Sequence, residues 1–247
     1  MVRAMTAASD GFKLPVRQRA ERLGVAVVSE LVELIVTGQL AEGAVLPPEG
    51  PLSEHFGVSR TVIRESAKRL EEKGLLIVSQ GRGTQVTRSG SWNMLDPVVL
   101  SALIDNDESL GVLDELTVVR GSLEAAMAGA VAADRTAEEL ARLEQALEVM
   151  RQTQHESDSF NEADVVFHLT VMELSGNRLA ENITKRLYRR ALESKRYRGM
   201  RYEGAFGSTL DQHARVVDAI ARQDAPAAEA AMRDHIIGSW RQRRFEA

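Results

Sequence analysis

The chain has 247 residues, 44% of them hydrophobic and 27% charged, a balance that predicts a globular protein and excludes a disordered one. It contains no cysteine, which excludes disulfides and thiolate metal sites and agrees with a reducing compartment. The longest apolar runs, such as residues 25–28, are too short to span a bilayer, and the N-terminus lacks the pattern of a signal peptide. We therefore expect a cytoplasmic protein that has no membrane partner.

The net charge of -5 is unevenly distributed along the chain. Residues 1–90 carry 12 Lys/Arg against 10 Asp/Glu, whereas the remaining residues carry 19 against 26. Within residues 58–90 the count is 7 against 3. A small basic zone on an acidic protein is typical of a chain that contacts nucleic-acid phosphates with one module.

In chain order, the N-terminal part predicts three helices and a hairpin. Apolar spacing predicts a first helix over residues 17–37 and a short second helix over residues 51–55. Ser59 is a good N-cap for a third helix that reaches about Lys73. Two β-prone runs around a glycine-rich turn then predict a hairpin over residues 75–87. Helix, tight turn, helix and hairpin is the order of a winged helix-turn-helix.

The remaining elements predict a second domain made of helices alone. Breaks near residues 106–109, 134–136, 155–159, 175–177, 202–208 and 224–226 divide it into about seven helices. Short connections favour antiparallel neighbours, so we expect a mainly α protein with an N-terminal winged helix-turn-helix and a C-terminal antiparallel bundle. The expected organisation is a flexible tail (1–15), a DNA-binding domain (16–88), a linker (89–95) and a helical effector-binding domain (96–247).

The third helix begins with the residues that we expect to read DNA. Its first turn presents Arg60, Thr61 and Arg64, and in this motif that turn enters the major groove. An arginine there can form a bidentate pair with guanine. Arg82 follows Gly81 at the expected tip of the hairpin, where both residues can approach the minor groove. The alternative is a solvated helix face whose arginines and lysines pair with glutamates.

Several stretches of this domain closely resemble the DNA-binding domain of GntR-type regulators. They are residues 39–47, 52–65, 70–75 and 81–86. The resemblance implies that Arg60, Thr61, Arg64 and Gly81 contact operator DNA. Many members carry an arginine that touches DNA where this sequence has Gly50, so we expect one of the family's DNA contacts to be missing.

Histidines in the second domain suggest a metal site. Asp164 and His168 are four residues apart and share one helix face, and His213 and His235 stand beside apolar neighbours on other helices. A single inward histidine is more often a hydrogen-bonded core residue than a ligand. Three of them with an aspartate, converging inside a bundle, predict a divalent metal ion: zinc, nickel or manganese. The other two histidines, at positions 55 and 155, are predicted to lie on the surface.

Residues 110–240 resemble the FCD-type effector domain of the FadR branch of GntR regulators. The supporting stretches are residues 116–124, 164–168, 175–177 and 213–220, running on to His235. In metal-binding members the ligands are an Asp, a His four residues later and two further His about 22 apart, and the four residues named above complete this pattern. The resemblance implies a metal with open positions that a small carboxylate effector fills.

The same resemblance assigns Arg120 and Asn177 to effector binding. An ion pair between Arg120 and Glu124, one helical turn later, is an equal alternative for that arginine. Residues 92–97 resemble the segment that joins the domains in members responding to sugar acids, and this ranks a sugar acid first among effectors. One recognition helix reads too few base pairs to be selective, so we expect a homodimer on a palindromic operator. The expected function is that of a repressor released by the acid.

Three other functions remain open at this stage. A metal held by three histidines and an aspartate can activate water in an enzyme, although no nucleophile motif or phosphate loop accompanies it. A pure metal sensor, in which the ion itself is the signal, has the same ligands. A nonspecific DNA-packaging protein is disfavoured by the acidic second domain.

Overall fold

The computed structural model describes residues 18–79, 81–194, 196–197 and 206–246, and it divides the chain into two compact units between Trp92 and Asn93. The expected flexible tail over residues 1–15 lies outside the described residues. Each unit has its own core, as expected of two domains joined by a short segment.

The first unit is a helical module with one hairpin, which confirms the predicted fold class. Its elements are α1 (Gln18–Val36), α2 (Glu49–Phe56), α3 (Arg60–Glu72), β1 (Leu76–Ser79), β2 (Gly83–Val86) and a 3-10 turn (Ser89–Ser91). The two strands are antiparallel, with Leu76 opposite Val86. The helix α2 begins two residues before the predicted start, directly after Pro48 at its N-cap.

Local signals in the sequence explain where α2 ends and α3 begins. Gly57 closes α2 in the left-handed conformation at φ 62°, and Ser59 then caps α3 by accepting a hydrogen bond from the Val62 amide at 3.4 Å. Ile63 and Leu70 on α3 are buried. Because α1 and α3 pack together in this unit, these side chains form its core with Leu31. The opposite face of α3 is left exposed.

The sequence did not predict the third segment that joins the hairpin. The Leu46 amide donates to the Thr84 carbonyl at 2.7 Å, and the Val86 amide donates to the Ala44 carbonyl at 2.9 Å. These bonds connect the β2 edge to the loop before α2 and fix the hairpin to the helical core.

Gly74 is the position in this unit where a side chain is expected to be most disruptive. Its φ is +76°, and an added Cβ would lie 2.2 Å from the Ser91 carbonyl oxygen. Gly57 also has a positive φ but meets nothing within 4 Å, so it is a matched control. We expect Gly57→Ala to cost about 1–2 kcal/mol from its backbone strain alone, and Gly74→Ala to cost clearly more. Urea unfolding of the two variants, followed by circular dichroism, measures the difference, and equal losses would contradict this contact.

The second unit is built from helices alone among its described residues. They are α4 (Pro97–Asn106), α5 (Gly111–Asp134), α6 (Ala137–Thr153), α7 (Ser157–Leu174), α8 (Arg178–Glu193), α9 (Phe206–Ala221) and α10 (Ala225–Glu246). Two predicted breaks were too long. Residues 157–159 form the first turn of α7, and residues 206–208 begin α9, because polar and glycine residues are tolerated in an exposed first turn.

The helix α5 lies at the centre of the bundle and makes its most extensive packing with α10. Small residues allow the two helices to approach closely. An added Cβ at Gly129 would lie 2.6 Å from Glu229 Cγ, and one at Gly121 would lie 3.4 Å from Ile237 Cγ1. By length and composition α5 is apolar enough to cross a membrane, but 61% of its apolar window is buried in the protein. It is therefore a core helix, and it carries two buried charged residues toward the site described next.

Candidate functional site

A cavity inside the second unit is lined by residues of α5, α7, α8, α9 and α10. Polar groups and aromatic rings share its wall, which includes Arg120, Asp164, His168, Tyr188, Tyr197, His235, Trp240 and Arg243. An enclosed site with a few convergent polar groups is the usual form of a small-molecule site.

Four candidate metal ligands converge beside this cavity, and three of them (Asp164, His168 and His235) line it. Asp164 and His168 stand one turn apart on α7, His213 stands on α9 and His235 on α10. One potential ligand atom from each lies within 4.8 Å of the other three. The three histidines are buried, and the structure brings together the four residues that the sequence analysis named.

Each histidine of this cluster uses Nδ1 to hold its ring in place. His168 Nδ1 lies 2.6 Å from Glu124 Oε2, His213 Nδ1 lies 2.8 Å from the Thr209 carbonyl oxygen, and His235 Nδ1 lies 2.8 Å from Gln212 Oε1. A carbonyl or carboxylate oxygen accepts a hydrogen bond, so the proton of each neutral ring belongs on Nδ1. All three Nε2 atoms then carry a lone pair.

Those lone pairs point at one another and at a carboxylate. His168 Nε2 lies 3.2 Å from His235 Nε2, and His213 Nε2 lies 3.3 Å from Asp164 Oδ1. The Nε2 atom of His213 is buried and has no hydrogen-bond partner. Acceptors crowded together without a donor are unfavourable in a buried site, and a divalent cation satisfies all of them at once. Three imidazole nitrogens and one carboxylate oxygen are a ligand set suited to zinc, nickel or manganese.

The electrostatics keep two of these rings in the neutral form that metal binding requires. Burial lowers the pKa of His213 to about 4, although the Asp164 carboxylate opposes that change. Burial also lowers the pKa of His235 well below its usual range, and the neighbouring His213 and His168 rings act in the same direction. Both rings are therefore neutral near pH 7 without a metal, and ligation displaces no proton from either.

Glu124 connects the histidine cluster to an arginine of the cavity wall. One carboxylate oxygen accepts from His168, and the other accepts from Arg120 Nε at 2.7 Å. Burial opposes ionisation of Glu124, but the Arg120 guanidinium and the His168 ring together lower its pKa to about 2. Arg120 lines the cavity and also forms the ion pair with Glu124 that the sequence analysis gave as the alternative. Sequence reasoning treated Glu124 as a partner of Arg120 alone.

Tyr188 on α8 is a member of the site that the sequence analysis missed. Its ring lies under the Arg120 guanidinium, and Arg120 Cζ is 3.6 Å from the centroid of the tyrosine ring. The tyrosine hydroxyl donates to Asp164 Oδ2 at 3.4 Å. The tyrosine thus contacts both the arginine and a candidate metal ligand, which fixes their relative positions. No local pattern indicates this role, since Tyr188 is separated from both residues along the chain.

Asn177 lies elsewhere. It is exposed at the start of α8, where its side chain caps the helix by accepting from the Ala180 amide at 3.1 Å, and it is not among the described residues that line the cavity. We therefore leave it out of the proposed effector site. His55 and His155 are exposed, as predicted for surface residues.

In the first unit, the residues expected to touch DNA are exposed, and one of them, Arg64, forms an ion pair. Arg60 and Thr61 lie on the free face of α3, and Arg82 lies in the hairpin turn after Gly81, whose φ is +76°. Arg64 donates from Nε and Nη2 to the Glu49 carboxylate, at 2.9 Å each. Arg64 is thus paired with a glutamate, as the alternative for these arginines proposed. Because the pair is exposed, it contributes little stability, and Arg64 can leave Glu49 to bind another partner.

Gly50, where many family members carry an arginine, lies next to the side chain of Arg60. An added Cβ at Gly50 would lie 3.6 Å from Arg60 Nη2, so the Arg60 guanidinium lies beside the bare backbone of α2. A Cβ atom at position 50 would therefore make an ordinary van der Waals contact with that arginine.

Comparisons with known proteins agree with this two-part description. An FCD domain matches residues 115–238, and the gntR family of bacterial regulatory proteins matches residues 23–86. The chain is 33% identical over 217 residues to the galactonate operon transcriptional repressor of Escherichia coli, covering 87% of this chain and 94% of that protein. It is 28% identical over 207 residues to the regulator LutR of Bacillus subtilis, covering 82% and 93% respectively.

A solved structure with the same fold is that of Lar from Listeria monocytogenes. It matches with a TM-score of 0.58 at 16% identity, covering 95% of this chain and 99% of that one. These families and relatives are transcription regulators and not enzymes. The chain therefore belongs to the GntR family of bacterial regulatory proteins, in the FadR-type branch whose second domain is FCD.

Proposed function

We propose that this chain is a cytoplasmic, homodimeric repressor that is released from its operator by a small organic acid bound at a metal site in the second domain. The observation that carries the proposal is the convergence of four ligand atoms within 4.8 Å of one another, from residues of which three line the same cavity as the buried Arg120. The name of the Escherichia coli relative, a galactonate operon repressor, supports a sugar acid as the first effector to test.

Different residues in and beside the cavity bind different parts of such an acid. Asp164, His168, His213 and His235 hold the divalent ion, which supplies Lewis-acid attraction for carboxylate and hydroxyl oxygens. Arg120 faces the same cavity and offers its remaining guanidinium N–H groups to a carboxylate. Glu124 and Tyr188 keep that arginine in one orientation, so little side-chain entropy is lost when the acid binds.

Release from DNA requires that the acid bind the two states of the protein with different affinities. The ligands stand on α7, α9 and α10, so the metal and the acid tie these three helices together. Any rearrangement that separates the helices weakens the site, and the acid then favours the conformation in which they are close. We propose that this is the conformation with the lower affinity for operator DNA.

The test is operator release by defined acids. Full-length protein, stripped and reloaded with zinc, is bound to a DNA site selected from a random library, and galactonate or L-lactate is added. We expect galactonate to lower the anisotropy of labelled DNA with the zinc-loaded protein and to have no effect on the stripped protein. Release by zinc without any acid would identify a pure metal sensor, and equal release from stripped protein would contradict a metal-dependent site.

On the DNA side, we propose that Arg60, Thr61, Arg64, Gly81 and Arg82 form the contact surface. Arg64→Ala is expected to weaken specific binding by about fivefold or more, because an arginine in the first turn of a recognition helix can pair with a guanine edge. Arg69→Ala is a matched control, since Arg69 is exposed in the last turn of the same helix. An unchanged ratio of specific to nonspecific affinity in the Arg64 variant would refute the assignment.

The protein is expected to be a dimer in solution and to bind a palindromic site. Two recognition helices related by a two-fold axis double the number of base pairs read. Light scattering of the free protein and of its DNA complex measures both masses. A monomer that still binds a single operator tightly would contradict this prediction.

A further inference from the structure

The cavity is lined by a second arginine in addition to Arg120. Arg243 lines the same cavity as Arg120 and three of the candidate metal ligands, and it stands on α10, eight residues after His235. Ser239 lies between them and also lines the cavity. Residues four apart share a helix face, so this face of α10 runs from the metal ligands to the guanidinium of Arg243.

The two arginines of the cavity differ in their charge partners. Arg120 is paired with the buried Glu124 carboxylate. Arg243 lies over the Tyr197 ring, with Cζ 5.0 Å from the centroid, and among the described residues no carboxylate forms an ion pair with it. Its neighbour Arg244 does have one, because it donates to Asp114. Arg243 is thus a half-buried cation that lines the cavity and has no carboxylate partner within the described part of this acidic domain.

Aromatic rings hold this cation in place. Tyr197 is stacked on Trp240 with an interplanar angle of 2°, and Trp240 Nε1 donates to Asp114 Oδ1 at 2.6 Å. The Asp114 carboxylate that holds the tryptophan lies on α5, and the Arg243 guanidinium lies over the tyrosine of the same aromatic pair. An arginine placed in this way is ready to receive an anion without reordering.

The spacing suits the two ends of one small molecule. Eight residues of helix rise by about 12 Å, and a long side chain on a helix is usually directed toward the helix N-terminus, so we expect the Arg243 guanidinium to lie closer to the metal ligands than this rise. That leaves a span comparable with an extended six-carbon acid. We propose that Arg243 binds a second anionic group, and that the preferred effector is a sugar diacid with a carboxylate at each end. This rests on the proposed function, since the first carboxylate lies at the metal and Arg120.

Calorimetry with two acids that differ at one carbon tests this proposal. Zinc-loaded full-length protein is titrated with galactonate, whose C6 is a hydroxymethyl group, and with galactarate, whose C6 is a carboxylate. We expect galactarate to bind about tenfold more tightly, the scale of a charge-assisted contact. Arg243→Gln is expected to remove this advantage and leave galactonate binding nearly unchanged. Arg241→Gln, at an exposed arginine of the same helix, should preserve it.

Equal affinities of the two acids for wild type would overturn the second-anion site and leave the metal site and first carboxylate contact standing. An equal loss of both affinities in Arg243→Gln would overturn it as well, since that result indicates a general structural role. If neither acid binds the zinc-loaded protein, the proposed function fails together with this inference.

Discussion

Replacement of His213 by alanine is expected to lower the affinity for a divalent metal by more than about 100-fold. Loss of a group that merely orients a ligand already costs about 10–100-fold, and His213 is itself a proposed ligand. Its Nε2 atom is buried, has no hydrogen-bond partner and lies 3.3 Å from Asp164 Oδ1. Competition with a chelating dye measures the affinity for zinc, nickel and manganese in turn.

The control for that experiment is His155→Ala, which removes an exposed histidine between α6 and α7. It should leave the metal affinity unchanged, and circular dichroism should show the same helical content in both variants. Full metal binding by the His213 variant would mean that the four residues are a set of hydrogen-bonded core side chains.

Replacement of Glu124 by glutamine is expected to destabilise the second domain by about 3–5 kcal/mol. The carboxylate is 1% exposed and is the anionic partner of Arg120, and removing one member of a buried pair leaves the other charge uncompensated. The amide also loses one of the two acceptor oxygens that hold Arg120 and His168. Urea unfolding of metal-free wild type and variant measures the loss.

Asp218→Asn is the matched control, because Asp218 pairs with Arg222 at the same four-residue spacing on the surface. Exposed pairs of this kind contribute less than about 1 kcal/mol, so this variant should unfold nearly like wild type. A similar small loss for Glu124→Gln would show that Glu124 is not the charge partner on which Arg120 depends.

Much of this structure follows from local patterns that a sequence displays directly. Ser59 as an N-cap and the glycines at 57 and 74 mark the limits of α2 and α3, because capping and positive φ are properties of single residues. The four-residue spacing of Asp164 and His168 places both on one face of α7. These features need no knowledge of which helices are neighbours.

The contacts that complete the site depend on how distant segments pack, which local patterns do not specify. Glu124 lies 44 residues from His168, and Gln212 bonds to His235 although it adjoins His213 in the chain. Nothing in the spacing of these residues indicates which ring each will hold. Asn177 shows the opposite case, because the resemblance implies effector binding whereas the structure places its side chain at the N-cap of α8, outside the described lining of the cavity.

The acid is expected to need the metal, and calorimetry measures this dependence. Galactonate is titrated by calorimetry into the zinc-loaded wild-type protein and into the same preparation after the metal has been removed and the helical content checked. The proposed site predicts binding at least about 100-fold tighter with zinc, since the ion supplies the main attraction for the carboxylate. Equal affinities in the two preparations would contradict an effector site built on Asp164, His168, His213 and His235.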